Sequence, residues 1–137
     1  MGPVTVRWVE GTMQLASDSN GTSIVIGWSP DPEHRWAGVK ASDLLLISAA
    51  ACAAHDVIEI LRKKREPLIK LKVICSGEQQ PDPPYTFTHI HLHYMAKGAV
   101  KPRSLERAID LSENNYCSVI STLRPGVPIT SDYEIVE

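Results

Sequence analysis

Three cysteines are all that this 137-residue chain contains, too few and too odd in number for a disulfide-stapled secreted scaffold. A reducing cytoplasm, where they stand as free thiols, is the expected setting. Positive charge is not in excess: 14 Lys and Arg against 16 Asp and Glu leave a net charge of -2. That excludes the basic face which nucleic acid or an anionic membrane would require. No long apolar run is present either. The longest, Leu44 to Ala54, is broken by Ser48 and falls short of the roughly 20 residues a membrane span needs. Met1-Gly-Pro-Val-Thr-Val6 has no basic segment leading into an apolar one, so no secretory leader is expected. The remaining composition, 43% hydrophobic and 22% charged, is that of a globular protein, read as a single domain over 1–137.

What is present falls into a clear order. Val4, Val6 and Trp8, then Met13 and Leu15, then Ile24, Ile26 and Trp28 alternate with polar residues, and Gly11 and Asn20-Gly21 separate the three groups. This predicts a three-stranded antiparallel meander. Ser29 to Gly38, with Pro30 and Pro32, is a loop. Ser42 to about Arg65 predicts a long helix, with Ser42 at the N-cap, Asp43 in the first turn, four cations at the end and Pro67 as the stop. Its Leu44–Ala54 stretch is apolar nearly all round, as in a helix buried on most sides. Strands follow near 69–77 and 86–96, joined by Pro81-Asp-Pro-Pro84. A helix from Pro102 to about Asn115, a short helical piece over Cys117–Leu123 and a last strand through Tyr133, Ile135 and Val136 complete the chain.

Two cysteines sit in settings that invite chemistry. Cys52 lies in Ser48-Ala-Ala-Ala-Cys-Ala-Ala-His55, where small neighbours leave its sulfur room. On a helix it shares a stripe with Leu45, Ser48, His55, Asp56 and Glu59. A free thiol with a pKa of about 8.5 is a poor nucleophile at neutral pH, and His55 as imidazolium would help it ionise. Cys117 stands at a break between helical pieces, where unpaired backbone amides favour a thiolate. Taken singly, each reads first as a small buried packing residue. Cys75 lies in a plain strand pattern. His89, His91 and His93 alternate on one strand face, about 7 Å apart, too far for compact metal ligation, and read as a solvated face. Arg62 to Arg65 reads as helix-end charge. Trp8, Trp28 and Trp36 read as core or interface aromatics, with Trp36 also able to line a pocket.

The string Asp43-Leu-Leu-Leu-Ile-Ser-Ala-Ala-Ala-Cys52, followed by Ala54-His-Asp-Val-Ile-Glu-Ile-Leu61, resembles the first cysteine motif of the OsmC/Ohr family (osmotically inducible protein C and organic hydroperoxide resistance proteins). Tyr116-Cys-Ser-Val119, preceded by Arg107-Ala108 and Leu111-Ser112, resembles the second. Thr86-Phe-Thr-His-Ile-His-Leu-His-Tyr94 is similar to the strand between them, so the resemblance runs from end to end. It implies an α/β (α+β) fold in which two protomers interlock as a homodimer, antiparallel sheets flanking two central helices and active sites at the interface.

The resemblance also implies a function: thiol-dependent reduction of a small hydrophobic organic hydroperoxide. Cys52 would be the peroxidatic thiolate and Cys117 the resolving thiol. No cofactor or metal is implied; electrons would come from an external dithiol such as dihydrolipoamide. Some positions depart from the pattern. Asp43 stands where a glutamate is common in the divergent branch, Ser42 stands where the peroxidases place theirs, and Ala41 replaces a usual proline. Arg7 and Arg35 are the candidates for the assisting arginine. The competing expectation is a non-catalytic binding or stress protein that holds a small hydrophobic ligand at the dimer interface.

Overall fold

The structure is a computed structural model and describes residues 1–29, 33 and 38–136. Most of the predicted loop, including Arg35 and Trp36, lies outside the described residues. The elements are β1 (Thr5–Glu10), β2 (Met13–Ser17), β3 (Ser23–Ile26), α1 (Ala41–Lys63), β4 (Leu68–Gln79), β5 (Phe87–Gly98), α2 (Pro102–Leu111), a π-helical turn (Ser112–Tyr116), α3 (Ser118–Leu123) and β6 (Ile129–Val136). They form two compact units, Met1–Leu45 and Leu46–Glu137, and the boundary falls inside α1.

The first unit is the predicted meander, a sheet of order β1-β2-β3 with both pairs antiparallel. Gly11 turns β1 into β2 with φ 54°. The Asn20-Gly21 turn is fixed by Asp18, whose Oδ1 accepts the backbone N–H groups of Asn20 at 2.8 Å and Thr22 at 2.9 Å. Gly21 takes the positive φ that this turn needs. The tryptophans are not core: Trp8 is 71% and Trp28 51% exposed. Trp8 Nε1 donates to the Gly11 carbonyl, and the Lys40 ammonium lies 4.5 Å from the Trp28 ring centre. Val4 and Val6 are equally uncovered. Ser42 is not the cap either. The Leu44 N–H already bonds the Lys40 carbonyl, which puts Ser42 inside the first turn, and Asp43 supplies that turn's negative charge.

The second unit holds the core. β5 lies between β4 and β6. It runs antiparallel to β4 but parallel to β6, so this sheet is mixed rather than antiparallel. The reason is the connection: the chain leaves β5 through α2 and α3 before returning, and such a crossover delivers a parallel neighbour. Ala49, Ala53, Val57 and Leu61 of α1, four residues apart, are fully buried in one cluster with Ile90, Leu92, Tyr94 and Ala96 of β5, two residues apart. Leu105, Ala108 and Ile120 close it from α2 and α3. Helical and strand periodicities therefore meet on one surface.

α1 is longer than its apolar run suggests. By length and composition its 23 residues are enough to cross a membrane; here the Ala49–Leu61 stripe is committed to the sheet. Nor is the helix buried on most sides within the chain, since Ile47 is exposed. After α1, Glu66 ties the next elements down, accepting the Ser104 hydroxyl at 2.7 Å and the Lys101 backbone N–H at 3.2 Å.

Gly98 ends β5 at φ 128°, a conformation L side chains avoid, and an added Cβ would stand 2.2 Å from the Pro67 carbonyl oxygen. Gly98→Ala is expected to destabilise the protein by at least about 2 kcal/mol in urea unfolding. Gly126→Ala, where the nearest atom would be 3.8 Å away, should stay within about 0.5 kcal/mol.

Candidate functional site

α1 carries Cys52 and Asp56 one turn apart, on the same face. The third member arrives from the opposite end of the sequence. α2 stops at Leu111 and the chain widens into the π-helical turn, closed by the Cys117 N–H on the Ser112 carbonyl at 2.7 Å. Insertions of this kind often mark functional sites. Cys117 then takes an extended conformation and caps α3, its sulfur accepting the Ile120 N–H at 3.4 Å. Ser112 pins the turn to α1. Its buried hydroxyl lies 3.2 Å from the Ala53 carbonyl and 3.1 Å from Asp56 Oδ2. The result is a cluster in which the Cys52 sulfur, the Cys117 sulfur and an Asp56 carboxylate oxygen all lie within 4.8 Å of one another.

The two thiols differ. Cys52 is half-buried and Cys117 wholly buried. Burial pushes the Cys117 thiol up, to about 11, and the hydrogen bond it donates to Cys52 adds to the effect; the N–H groups of Ile120 and Val119 only partly oppose them. The amides at the helix break therefore do not make Cys117 a thiolate, because desolvation outweighs them. His55 does not join the sulfurs either. It is exposed and lines a cleft of ≈ 560 Å³ with Asp56, Ile60, Lys64, Leu111 and Tyr116. Cys75, half-buried on β4, is pushed up by burial alone. Asp43 is exposed in the first turn of α1 and Arg7 is exposed on β1.

Three residues escaped the sequence reading. Ser112 and Glu113 looked like the end of an amphipathic helix, yet both are buried. Burial holds the Glu113 carboxyl above its usual range, although the Ser131 hydroxyl donates to it at 2.9 Å. Arg124 donates to the Glu113 carbonyl and, at 2.6 Å, to Asn114 Oδ1. It therefore fastens the far side of the π-helical turn. No local pattern announces these roles, because the partners come from α1, from β6 and from beyond α3.

The histidine face is more organised than a solvated one. Thr130 bridges His89 Nε2 and His91 Nδ1, each at 2.7 Å. Asp132 Oδ1 then accepts from His91 at 2.9 Å and His93 at 2.7 Å, and Glu134 lies 3.3 Å from His93. Parallel pairing of β6 beside β5 sets Thr130 against His91 and Asp132 against His93. Ile90, Leu92 and Tyr94, on the opposite face of the strand, are fully buried.

Comparison with known proteins follows this geometry. Residues 33–132 match the family model described as OsmC-like protein. The chain is 36% identical over 135 residues to "Protein YhfA" of Escherichia coli (strain K12), covering 96% of each. A hypothetical protein from Aquifex aeolicus VF5 superposes with a TM-score of 0.83 at 28% identity, over 100% of this chain and 98% of the other. An organic hydroperoxide resistance protein from Legionella pneumophila shares the fold, with a TM-score of 0.71 at 12% identity over 98% and 96%.

Alkylation of the native, reduced protein at pH 7 is expected to modify Cys52 at least about tenfold faster than Cys117, as read by mass spectrometry of quenched samples. Comparable rates would contradict the burial difference. Asp132 first, and Glu134 second, hold the His93 pKa above its ordinary value and so favour the imidazolium. The stabilisation from that pair is complete at pH values below the unfolded histidine pKa and fades as pH rises through the folded one. NMR titration should show the His93 pKa fall in Asp132→Asn.

Proposed function

The chain belongs to the OsmC-like family, and from that premise we propose that it is a cytoplasmic thiol peroxidase reducing small hydrophobic organic hydroperoxides. The observation that carries this reading is the cysteine pair: two sulfurs from elements far apart in sequence, held within 4.8 Å, one reachable and one buried. Cys52, the reachable thiol, is the peroxidatic residue. As thiolate it attacks the distal peroxide oxygen; the O–O bond breaks, the alkoxide leaves and takes up a proton as alcohol, and Cys52 becomes a sulfenic acid. Cys117 then attacks the Cys52 sulfur. Its proton leaves with the sulfenic hydroxyl as water, and a disulfide forms. An external dithiol such as dihydrolipoamide returns both cysteines to thiols and is itself oxidised to a disulfide.

Cys117 suits the resolving role because its high pKa keeps it protonated until a sulfenic acid stands beside it. Asp43 is proposed as the acidic residue contributed from the start of α1. The two compact units act as one OsmC-like domain, a reading supported by a family match that runs across their boundary. The uncovered Val4, Val6, Trp8 and Trp28 are proposed to be covered in an interlocked homodimer, since apolar surface of this extent favours association. A second reading, a non-catalytic module holding a small hydrophobic ligand, draws on the protonated Cys117 and on the cleft beside Asp56.

Turnover of cumene hydroperoxide with dihydrolipoamide separates the two. The peroxidase reading expects Cys52→Ser to lower kcat/KM by at least about 10³-fold, and Cys117→Ser to consume about one peroxide per thiol and then stall. No turnover by the wild type, or unchanged turnover in Cys52→Ser, favours the binding module.

A further inference from the structure

The geometry points to a metal site that the peroxidase reading does not require: we infer that Cys52, Asp56 and Cys117 form a three-ligand site for a thiophilic divalent cation such as Zn²⁺, with the fourth position open to water. No metal was expected from the sequence, because the histidines are spread along a strand and the resemblance implies none. The fold assembles a different set of donors. Three donor atoms of the right chemistry converge to within 4.8 Å. Tetrahedral zinc with bonds of about 2.3 Å to sulfur and 2.0–2.2 Å to oxygen needs its ligand atoms roughly 3.3–3.8 Å apart. Rotamer adjustments on the order of 1 Å close that gap.

Four features fit an ion rather than a chance cluster. Cys52 and Asp56 stand at i and i+4 on a helix, the spacing by which helices present paired ligands on one face. Two thiolates select soft and borderline cations over Mg²⁺ or Ca²⁺. Ser112 bonds Asp56 Oδ2, which orients the carboxylate, as outer-sphere partners of metal ligands do. Asp56 also borders the ≈ 560 Å³ cleft, which gives an ion a way in. The histidine ladder is the rival site. Five of its six ring nitrogens, however, are already engaged by Thr130, Asp132 and Glu134.

Binding replaces two S–H protons with two S–M bonds and releases those protons to the buffer. An occupied site holds both sulfurs and withdraws them from redox chemistry. The inference stands whether or not the protein is a peroxidase, because it concerns only the reduced pair.

The experiment uses the full-length, reduced and chelator-stripped protein without oxygen. Co²⁺ alone serves as the spectroscopic probe, and Zn²⁺ is titrated in competition with a chromophoric chelator. The expected result is one ion per chain, a thiolate-to-cobalt charge-transfer band, and release of about two protons per Zn²⁺ in weakly buffered solution. Cys52→Ser and Cys117→Ser each lose at least about 100-fold in affinity. Ser112→Ala, which keeps all three ligands, loses about 10-fold, and His91→Ala/His93→Ala changes nothing. Circular dichroism confirms that each variant is folded. Absence of the charge-transfer band, Zn²⁺ binding that survives both cysteine substitutions, or binding lost in the histidine variant would each overturn the proposal. Peroxidase activity takes no part in these readouts, so its failure and the failure of the metal site are told apart.

Discussion

Ala49, Ala53, Val57 and Leu61 recur every four residues on α1 and share one buried cluster with Ile90, Leu92, Tyr94 and Ala96 of β5. Everything else in the second unit is placed by this contact. Ala49 and Ala53, the two alanines of this stripe, are fully buried in the cluster, where close packing suits small side chains. That is also why the segment around the thiol is so poor in large side chains. The small residues that give the Cys52 sulfur room are partly the same ones that seat the helix on the sheet. Packing and chemistry make the same demand on this stretch, so composition alone could not separate them.

From that contact the site follows in two steps. α2 and α3 cover the same core through Leu105, Ala108 and Ile120, and the chain between them must turn where it passes α1. The π-helical turn supplies the extra residue and Ser112 sets the register, reaching both Ala53 and Asp56. On its other side Arg124 and Ser131 hold the Glu113 and Asn114 region. The turn that delivers Cys117 is therefore fixed from both flanks by side-chain hydrogen bonds, each worth about 1 kcal/mol. The proposed peroxidase chemistry needs its second thiol held this way, because resolution depends on distance.

Much of the architecture was legible because its signals are local. Asn20-Gly21, the Lys/Arg-rich end of α1 with Pro67 behind it, and Pro102 at a helix start each act within a few residues. The misreadings occurred where partners are remote. β6 begins at Ile129, four residues before the strand pattern becomes visible, because Thr130 and Asp132 look like loop residues until His91 and His93 are set beside them. For the tryptophans of β1 and the β3 end, core and interface stayed open because alternation reports which residues share a face, not what covers it; their exposure removes the core reading. At the site, Cys52 and Cys117 could be paired only through a resemblance. His55 was read as the neighbour that would help Cys52 ionise; the position of the third element brings Asp56 to the sulfurs instead.

Burial of Cys117 sets the terms on which this pair can work. A thiol held at about 11 is almost wholly protonated at neutral pH, so in the proposed reaction it cannot compete with Cys52 for a peroxide. The same burial protects it from oxidants in solution. What reaches it is whatever forms on Cys52: a sulfenic acid, whose departing hydroxyl takes its proton, or a cation, whose charge displaces that proton. Both events answer the same electrostatic problem, a desolvated sulfur that ionises only when positive charge or a proton acceptor is brought to it. The two chemistries proposed here are thus alternative exits from one buried state, and occupation by a cation must be reversed before oxidation can proceed.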